Sequence, residues 1–400
     1  MTGRKAALGE LFRIGSSKRV LQSQWASEGV PFYRGREITR LAADGYVDND
    51  LFIPEDLYAE FAAKHGVPNA DDIMITAIGT IGNSYIVRDT DRFYFKDASV
   101  LWLNKSADVN SEFINWWLKS PLFFDQLDRG NGATVDTLTI QKLQSVVVDL
   151  PPPEKQHRIV AILDEAFDGI ATAKANAEKN LQNARALFES HLQSVFTERG
   201  EGWSDKQLKD FCAFENGDRG KNYPSKSART ATGVPFINAG HLTENGIDLE
   251  TMDYISRERF DLLSNGKIRP GDILFCLRGS LGKFACVDNL SEGAIASSLV
   301  IVRPDETVLN DFLAAYFRSP ICVAMIDSFR NGTAQPNLSA KSLGLFVAPI
   351  PPLTQQQSIV ERLSNLRAET QRLESLYQQK LTALDDLKKS LLHQAFTGAL

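Results

Sequence analysis

The stretch Pro151-Pro-Pro-Glu-Lys-Gln156-His-Arg-Ile159-Val160-Ala-Ile-Leu163 meets its likeness further on, in Pro351-Pro-Leu-Thr-Gln-Gln356-Gln-Ser-Ile359-Val360-Glu-Arg-Leu363. Working outward, Asp72-Ile73 recurs as Asp272-Ile273, and Gly79-Thr80-Ile81-Gly82 recurs as Gly279-Ser280-Leu281-Gly282. Downstream, Leu192, Phe196 and Thr197 match Leu392, Phe396 and Thr397. A long repeat that keeps its frame while its contents vary points to one architecture used twice, to read two different things.

After the prolines the texture changes. From Glu154 to Thr197 and from Gln355 to Thr397 there is no proline, and glycine occurs only at Gly169. One heptad frame fits both segments. In the first it selects Leu163, Ala166, Ile170, Ala173, Ala177, Asn180, Ala184, Leu187 and His191; in the second, Leu363, Leu366, Thr370, Leu373, Tyr377, Lys380, Leu384, Leu387 and Leu391. Alternating spacings of three and four over several heptads predict a coiled coil, with each helix about 66 Å long at 1.5 Å per residue. The first stripe is rich in alanine, whereas the second carries leucines and a tyrosine. Packed on each other they interdigitate; packed on themselves, one is loose and the other crowded. The expectation is therefore an antiparallel intramolecular pair. Two unrelated amphipathic helices, each covering its own domain, remain the alternative.

Upstream of each helix lie short β-rich runs, Ile73–Ile78, Ser84–Val87 and Ala98–Leu103, with counterparts Ile273–Leu277, Lys283–Val287 and Ser297–Val302. A helix is predicted over Ser111–Leu118 and another over Asn310–Phe317, each ending at Ser-Pro. The fold class is α+β, with two similar α/β domains joined by two long helices. The expected divisions are 1–150, 151–202, 203–350 and 351–400.

Composition fits an ordinary multi-core chain: 400 residues, 43% apolar and 24% charged. The apolar runs are strand-sized, the start lacks the core of a secretion signal, and the four cysteines have no ligand-like spacing. A cytoplasmic protein with no membrane contact is expected. The net charge is −6, and by segment it is −4, −2, −1 and +1 along the four divisions. No division is a basic block, so a nucleic-acid ligand would need local clusters or positive surface from a larger assembly.

No phosphate-binding G-x-x-x-x-G-K-[ST], no G-x-G-x-x-G opening a helix, no G-x-S-x-G and no Asn/Asp-Pro-Pro-Tyr/Phe occurs, and the five histidines are scattered. No catalytic residue, metal site or cofactor is therefore assigned to this chain. The carboxylate and lysine spacing of a restriction nuclease is too loose to decide from sequence.

Basic and amide residues do recur in glycine-bearing loops. Arg13, Lys18 and Arg19 answer to Arg219, Lys221 and Lys226. Arg34, Arg36 and Arg40 follow Gly29-Val-Pro-Phe32, whose twin Gly233-Val-Pro-Phe236 leads into Asn238 and His241. Arg129 and Asn131 answer to Arg330, Asn331 and Gln335. The G-x-x-G turns add Thr80, and on the second side Arg278, Ser280 and Lys283. Their glycines have a bland reading, a tight turn, and a functional one, close approach to a ligand; the two can coexist. These side-chain types suit phosphates and base edges, so all of these positions are candidate DNA contacts; a cluster taken singly is more often a solvated loop, and it is the recurrence at equivalent places in two repeats that raises the DNA reading to equal weight.

On these residues the chain resembles the specificity subunit of type I restriction-modification enzymes. The resemblance rests on the two Gly-Val-Pro-Phe runs, on Pro270-Gly-Asp-Ile-Leu-Phe275, on the Leu138–Ile162 and Leu338–Leu363 junctions, and on the ending Leu391-Leu-His-Gln-Ala-Phe-Thr-Gly398. It departs modestly at Asn69-Ala-Asp-Asp72, where the second repeat has Arg269-Pro-Gly-Asp272, and at the Lys-Gln156 junction. The resemblance implies two target recognition domains, each reading one part of a bipartite double-stranded DNA target, and a coiled coil that sets the gap. It implies two methyltransferase subunits as partners, and motor-nuclease subunits in some systems. S-adenosylmethionine, ATP and magnesium would belong to those partners. It carries over no base-reading residues. A duplicated non-catalytic scaffold with coiled-coil spacers, or an enzyme with an unrecognised motif, stands as the alternative.

Overall fold

The computed structural model describes residues 3–127, 137–244, 246–330 and 337–400. The chain divides into two compact units, Met1–Glu178 with Gln378–Leu400, and Lys179–Tyr377.

Each unit is built on a four-stranded antiparallel sheet of the same strand order. In the first unit the order is Phe12–Gly15, Val100–Lys105, Ile73–Thr76, Ser84–Ile86; in the second it is Cys212–Asn216, Leu299–Pro304, Ile273–Cys276, Phe284–Cys286. Strands Ile73–Thr76 and Ile273–Cys276 are buried along their whole length, because each separates two cores. Ile73 and Ile75 enter one core and Met74 the other; Ile273 and Phe275 divide from Leu274 and Cys276 in the same way. That is the period-two alternation of a strand covered on both faces.

The repeated Asp fixes this sheet. Asp72 accepts from the backbone N–H of Asn69 at 2.9 Å and of Lys105 at 2.9 Å, and from the indole N–H of Trp102 at 2.8 Å. Asp272 accepts from the Arg269 N–H at 2.8 Å and from Arg303 Nε at 2.7 Å. The turn N–H donor and the buried carboxylate are the same in both units and only the side-chain donors differ, so the recurrence is structural. Just before it, the turn needs positive φ: Gly271 supplies it at 84°, and Asp71 adopts it at 69°, which accounts for the atypical first turn.

The helices Ser111–Leu118 and Asn310–Arg318 stop at Ser-Pro as expected, but the chain does not leave helical geometry for long. Pro121 and Pro320 open new helices, Pro121–Leu127 and Pro320–Phe329, the latter bent 67° from its predecessor. Proline at a first helical position loses no hydrogen bond, so it breaks one helix and starts the next.

Two continuous 45-residue helices, Pro153–Thr197 and Leu353–Thr397, follow, each about 68 Å long at 1.5 Å per residue. In the first unit Leu163 shares a core with Leu392 and Ala395, and further along Lys174 pairs with Asp385 at 2.5 Å. In the second unit Arg185 pairs with Glu374 at 2.9 Å, and Leu192 and Phe196 share a core with Ile359 and Leu363. Within each unit the two helices thus run antiparallel.

Leu163, Ile170, Ala177, Ala184 and Leu363 of the expected seam are buried; Ala166, Ala173, Leu366, Leu373, Tyr377, Leu384 and Leu391 are half-buried. Four positions of the frame need correction: Asn180, Leu187, Lys380 and Leu387 are all exposed. Leu187 is 52% exposed and Leu387 is 46% exposed. Phe188 packs against the second unit's core in place of Leu187, and Leu181 is half-buried where Asn180 is exposed. The seam there alternates four-then-three rather than three-then-four. A residue one step along turns about 100°, so only one of the two neighbours faces inward, and the larger apolar side chain takes the place.

Candidate nucleic-acid interface

The G-x-x-G turn joins the third and fourth strands of the sheet in each unit. Its two glycines do different jobs. A Cβ on Gly82 would lie 2.8 Å from the Phe124 ring, and one on Gly282 would lie 2.6 Å from Ile326. The second glycine therefore lets the turn seat on the helix that starts at Pro121 or Pro320. Gly79 and Gly279, at φ of 79° and 80°, face open space. The tight-turn reading holds for both, and only the first glycine leaves the backbone open to a ligand.

The chain returns to this turn. Ile78 bridges Thr137, and Arg278 bridges Asn337; Leu138 N–H donates to Ala77 at 2.8 Å and Leu338 N–H to Leu277 at 2.9 Å. Arg129, Asn131, Asn331 and Gln335 lie outside the described residues. Arg330 is described. It pairs with Asp327 at 3.4 Å and lines, with Gly279 and Gly282, a hollow of about 330 Å³.

What flanks the turn differs between units. In the first, helix Gly35–Asp44 is tied to it: Thr39 Oγ1 lies 3.1 Å from Thr80 Oγ1 and accepts from Asn83 Nδ2 at 3.0 Å. Arg36 and Arg40 occupy the exposed side of this helix, one turn apart. In the second unit a hairpin, Leu242–Thr243 with Gly246–Ile247, takes the same place after the Val-Pro-Phe strand, and Lys283 Nζ donates to the Ala239 carbonyl at 3.0 Å. Arg278 and Ser280 are exposed on the turn itself.

Several expected contacts are engaged internally. Arg34 caps the helix through Glu37, its Nη2 lying 3.0 Å from the carboxylate, and Arg36 Nε reaches the same carboxylate at 2.7 Å. Arg36 also holds Asp50 at 2.8 Å. Burial alone would push the Glu37 carboxyl up, but the hydrogen bonds from Arg34 and Arg36 together outweigh it and hold it below its ordinary value. Arg34 is thus a structural residue, and Arg36 is only partly available. Arg19 pairs with Asp97 at 2.8 Å on the surface, and Arg219 donates to the Ser297 carbonyl at 3.2 Å. Arg13 stands exposed on a sheet strand opposite Asn104, and Lys18, through its backbone N–H, holds the Tyr94 hydroxyl at 3.0 Å. Lys221 and Lys226 are exposed ahead of strand Arg229–Thr230.

Asn238 and His241 must be withdrawn as contacts. His241 is buried and accepts the Asn238 N–H at 3.2 Å; the Asn238 amide spans Gly240 at 2.7 Å and Asp253 at 3.1 Å. Both build a turn, the common fate of asparagine before glycine. Sequence reasoning missed Thr39, Asn83 and Tyr46. Thr39 and Asn83 meet Thr80 only through the fold, and nothing local marks Tyr46, which is 72% exposed just past the helix. Among the described residues no group of three or more His, Cys, Asp or Glu is placed to hold a metal, and no single helix is long and apolar enough to cross a membrane.

One α/β unit, built twice, each time with two antiparallel helical segments and with unlike loops at the same turn, defines the class. The chain matches the family described as type I restriction modification DNA specificity domain over residues 4–182 and again over 200–383. It belongs to that family. A Haemophilus influenzae protein whose name places it among the type I restriction enzyme specificity subunits is 31% identical over 189 residues, 45% of this chain and 46% of that one. The EcoBI specificity subunit of Escherichia coli is 24% identical over 297 residues, 68% of this chain and 62% of that one. The chain spans about half to two thirds of the length of the curated relatives it matches. A solved chain, from work on complex assembly and conformational transition of the type I restriction-modification system, shares the fold at a TM-score of 0.80 and 18% identity, covering 100% of this chain and 99% of that chain.

Proposed function

We propose that this chain is the DNA-specificity subunit of a type I restriction-modification complex and performs no chemistry itself. Residues 1–150 and 203–350 act as target recognition domains, each reading one half of a bipartite, asymmetric duplex target. Residues 151–202 and 351–400 act as spacers that set the gap and dock two methyltransferase subunits, with motor-nuclease subunits joining in restricting systems. S-adenosylmethionine, ATP and magnesium are held by those partners, and the complex works in the cytoplasm.

The observation that carries this reading is the G-x-x-G turn, kept in both units while its neighbours change. A common turn, flanked in the first unit by a helix bearing Arg36 and Arg40 and in the second, where the turn itself carries Arg278, by a hairpin, suits one mode of approach to DNA with two sequence preferences. Base edges are read by a few polar side chains, and phosphate contacts orient them. The acidic net charge is compatible with this division, because the methyltransferase subunits share the neutralisation of phosphates. Successive turns of B-DNA lie about 34 Å apart, and a helical spacer sets which turns the two domains address.

The test is exchange of residues 8–150 for those of a relative with a different target, followed by genome-wide mapping of methylated adenines. One half-site should change and the other stay. Insertion of one heptad into each long helix should alter the accepted gap and leave both half-sites intact. A change in both half-sites after the domain exchange refutes the division of labour.

A further inference from the structure

In the first unit a closed stack joins the recognition domain to the helix pair. Lys119 Nζ lies 5.1 Å from the Trp116 ring centre, Trp116 packs on Phe167 at 4.5 Å, and Lys388 Nζ lies 5.0 Å from the Phe167 ring centre. The indole N–H donates to Asp164 at 2.8 Å. Every layer has a neighbour from the chain itself.

The repeat shows what stands there in the second unit. Ser120-Pro121 aligns with Ser319-Pro320, and Gln156 with Gln356, so Lys119 corresponds to Arg318, Trp116 to Ala315, Asp164 to Ser364, Phe167 to Arg367 and Lys388 to Phe188. The indole has shrunk to a methyl group and the phenyl ring has become a second cation. All five of these residues line one hollow of about 320 Å³. It adjoins a cleft of about 730 Å³, which shares Phe188, Arg318 and Arg367 and adds Phe284, Phe317 and Val323. The void lies where the other repeat keeps its tryptophan.

The two guanidinium groups in this hollow touch no carboxylate directly among the described residues. Arg318 sits 4.9 Å from the Phe284 ring centre, and Arg367 donates to the Glu244 backbone carbonyl at 3.1 Å. Neither forms an ion pair with a carboxylate among the described residues, whereas Arg185 at the mouth is already paired with Glu374 at 2.9 Å. Glu244, Asp288 and Asp311 stand on the wall without reaching them. Burial works against the charge on Arg318, and Arg367 adds to that, although Glu244 and Asp311 partly offset it at longer range. The lining mixes these carboxylates with Ala315, Val360 and Leu363, and the two guanidinium groups still repel each other, so an anion that bridges both directly removes that cost.

We propose that this hollow is a docking site for an acidic segment of a partner protein: one carboxylate bridges Arg318 and Arg367, and an adjoining apolar or aromatic side chain fills the room that Trp116 occupies in the first unit. The proposal rests on the reading that methyltransferase subunits dock on this chain, and it names what the second unit takes from them. The first unit, with its stack complete, asks for no such insertion.

The test uses the full chain co-expressed with a type I methyltransferase subunit from the same genome, with native mass spectrometry counting methyltransferase copies per chain. A315W/R367F rebuilds the first unit's stack in the second; R318A/R367A removes the charges and keeps the space. Each should weaken one of two methyltransferase copies by tenfold or more and leave the other untouched. W116A, in the first unit, should leave the copy at the second unit in place. If both double variants hold two copies at wild-type affinity, the proposal fails. It fails also if they hold two copies but bind target DNA more weakly, since the hollow would then hold a phosphate. A wild-type chain that recovers no methyltransferase would instead remove the underlying reading, and the docking site with it.

Discussion

The side-chain carbonyl of Gln356 accepts the backbone N–H of Leu309 at 2.8 Å. The same amide donates to the carbonyls of Pro351 at 2.9 Å and Thr307 at 3.0 Å. Gln156 repeats the arrangement, accepting from Asn110 N–H at 3.2 Å and donating to Pro151 at 2.8 Å. One buried side chain thus ties the start of a short helix that follows the sheet to the start of a long helix, in both units. Replacing Gln356 by leucine would leave a buried N–H and two carbonyls without partners, at a cost of about 1–3 kcal/mol for such a group. The expected result is a lower unfolding midpoint, with faster amide exchange confined to the second unit. Exchange that rises equally in both units would contradict the local role.

Glu37 offers a test of which arginines are structural. Its folded pKa is held below the ordinary 4.5 because the hydrogen bonds from Arg34 and Arg36 together outweigh burial. A depressed carboxyl contributes stability that is present above its unfolded value and lost as pH falls through the lower folded one. The native first unit should therefore weaken as pH drops below about 4.5, and E37Q should be less stable at neutral pH yet flatter across that acid window. Urea midpoints at a series of pH values decide it. An E37Q profile parallel to wild type would mean that Arg34 and Arg36 do not depend on this carboxylate.

Legibility followed physical role. Asp72 and Asp272, Gln156 and Gln356, and the paired Ser-Pro steps recur because each closes a buried hydrogen-bond set or a helix end, and such demands are local enough to be written twice. The seam from Leu163 to Ala177 is legible for the same reason. Leu187 is not, because the choice between it and Phe188 depends on what lies across the core. The candidate contacts were the hardest. Arg34 and Arg40 look alike in sequence, but Glu37 and Asp50 claim the first, and only the fold reveals that. Asn238 and His241 likewise turned inward to satisfy each other and Asp253.

That contrast separates two neighbouring residues by outcome. Arg40 is exposed on the helix tied to the G-x-x-G turn, and no ion pair or hydrogen bond engages its side chain among the described residues. R40A should leave the unfolding midpoint within about 0.5 kcal/mol of wild type, as surface changes do. It should weaken or relax recognition of the first half-site by about 1–3 kcal/mol if Arg40 reads a base. R34A should instead lower stability. Methylation mapping with both variants distinguishes them; an R40A complex with unchanged target and affinity would remove this helix from the interface.

Cys286 reports on the hollow in the second unit. It is the one cysteine of four that is not buried, and it lines that hollow beside Arg318. Burial, with Asp288 adding to it, pushes its thiol up to about 11, although Arg318 pulls the other way. Thiolate is the reactive form, so at pH 7 only about one molecule in ten thousand would carry it. Iodoacetamide should therefore label the native chain slowly at neutral pH and about tenfold faster for each unit gained up to pH 10. Peptide mapping should place the label on Cys286 and not on Cys212, Cys276 or Cys322. R318A removes the favourable cation and should slow labelling further at any one pH. Rapid labelling at pH 7 would mean that the thiol is neither shielded nor close to Asp288, and that the hollow is more open than its lining implies.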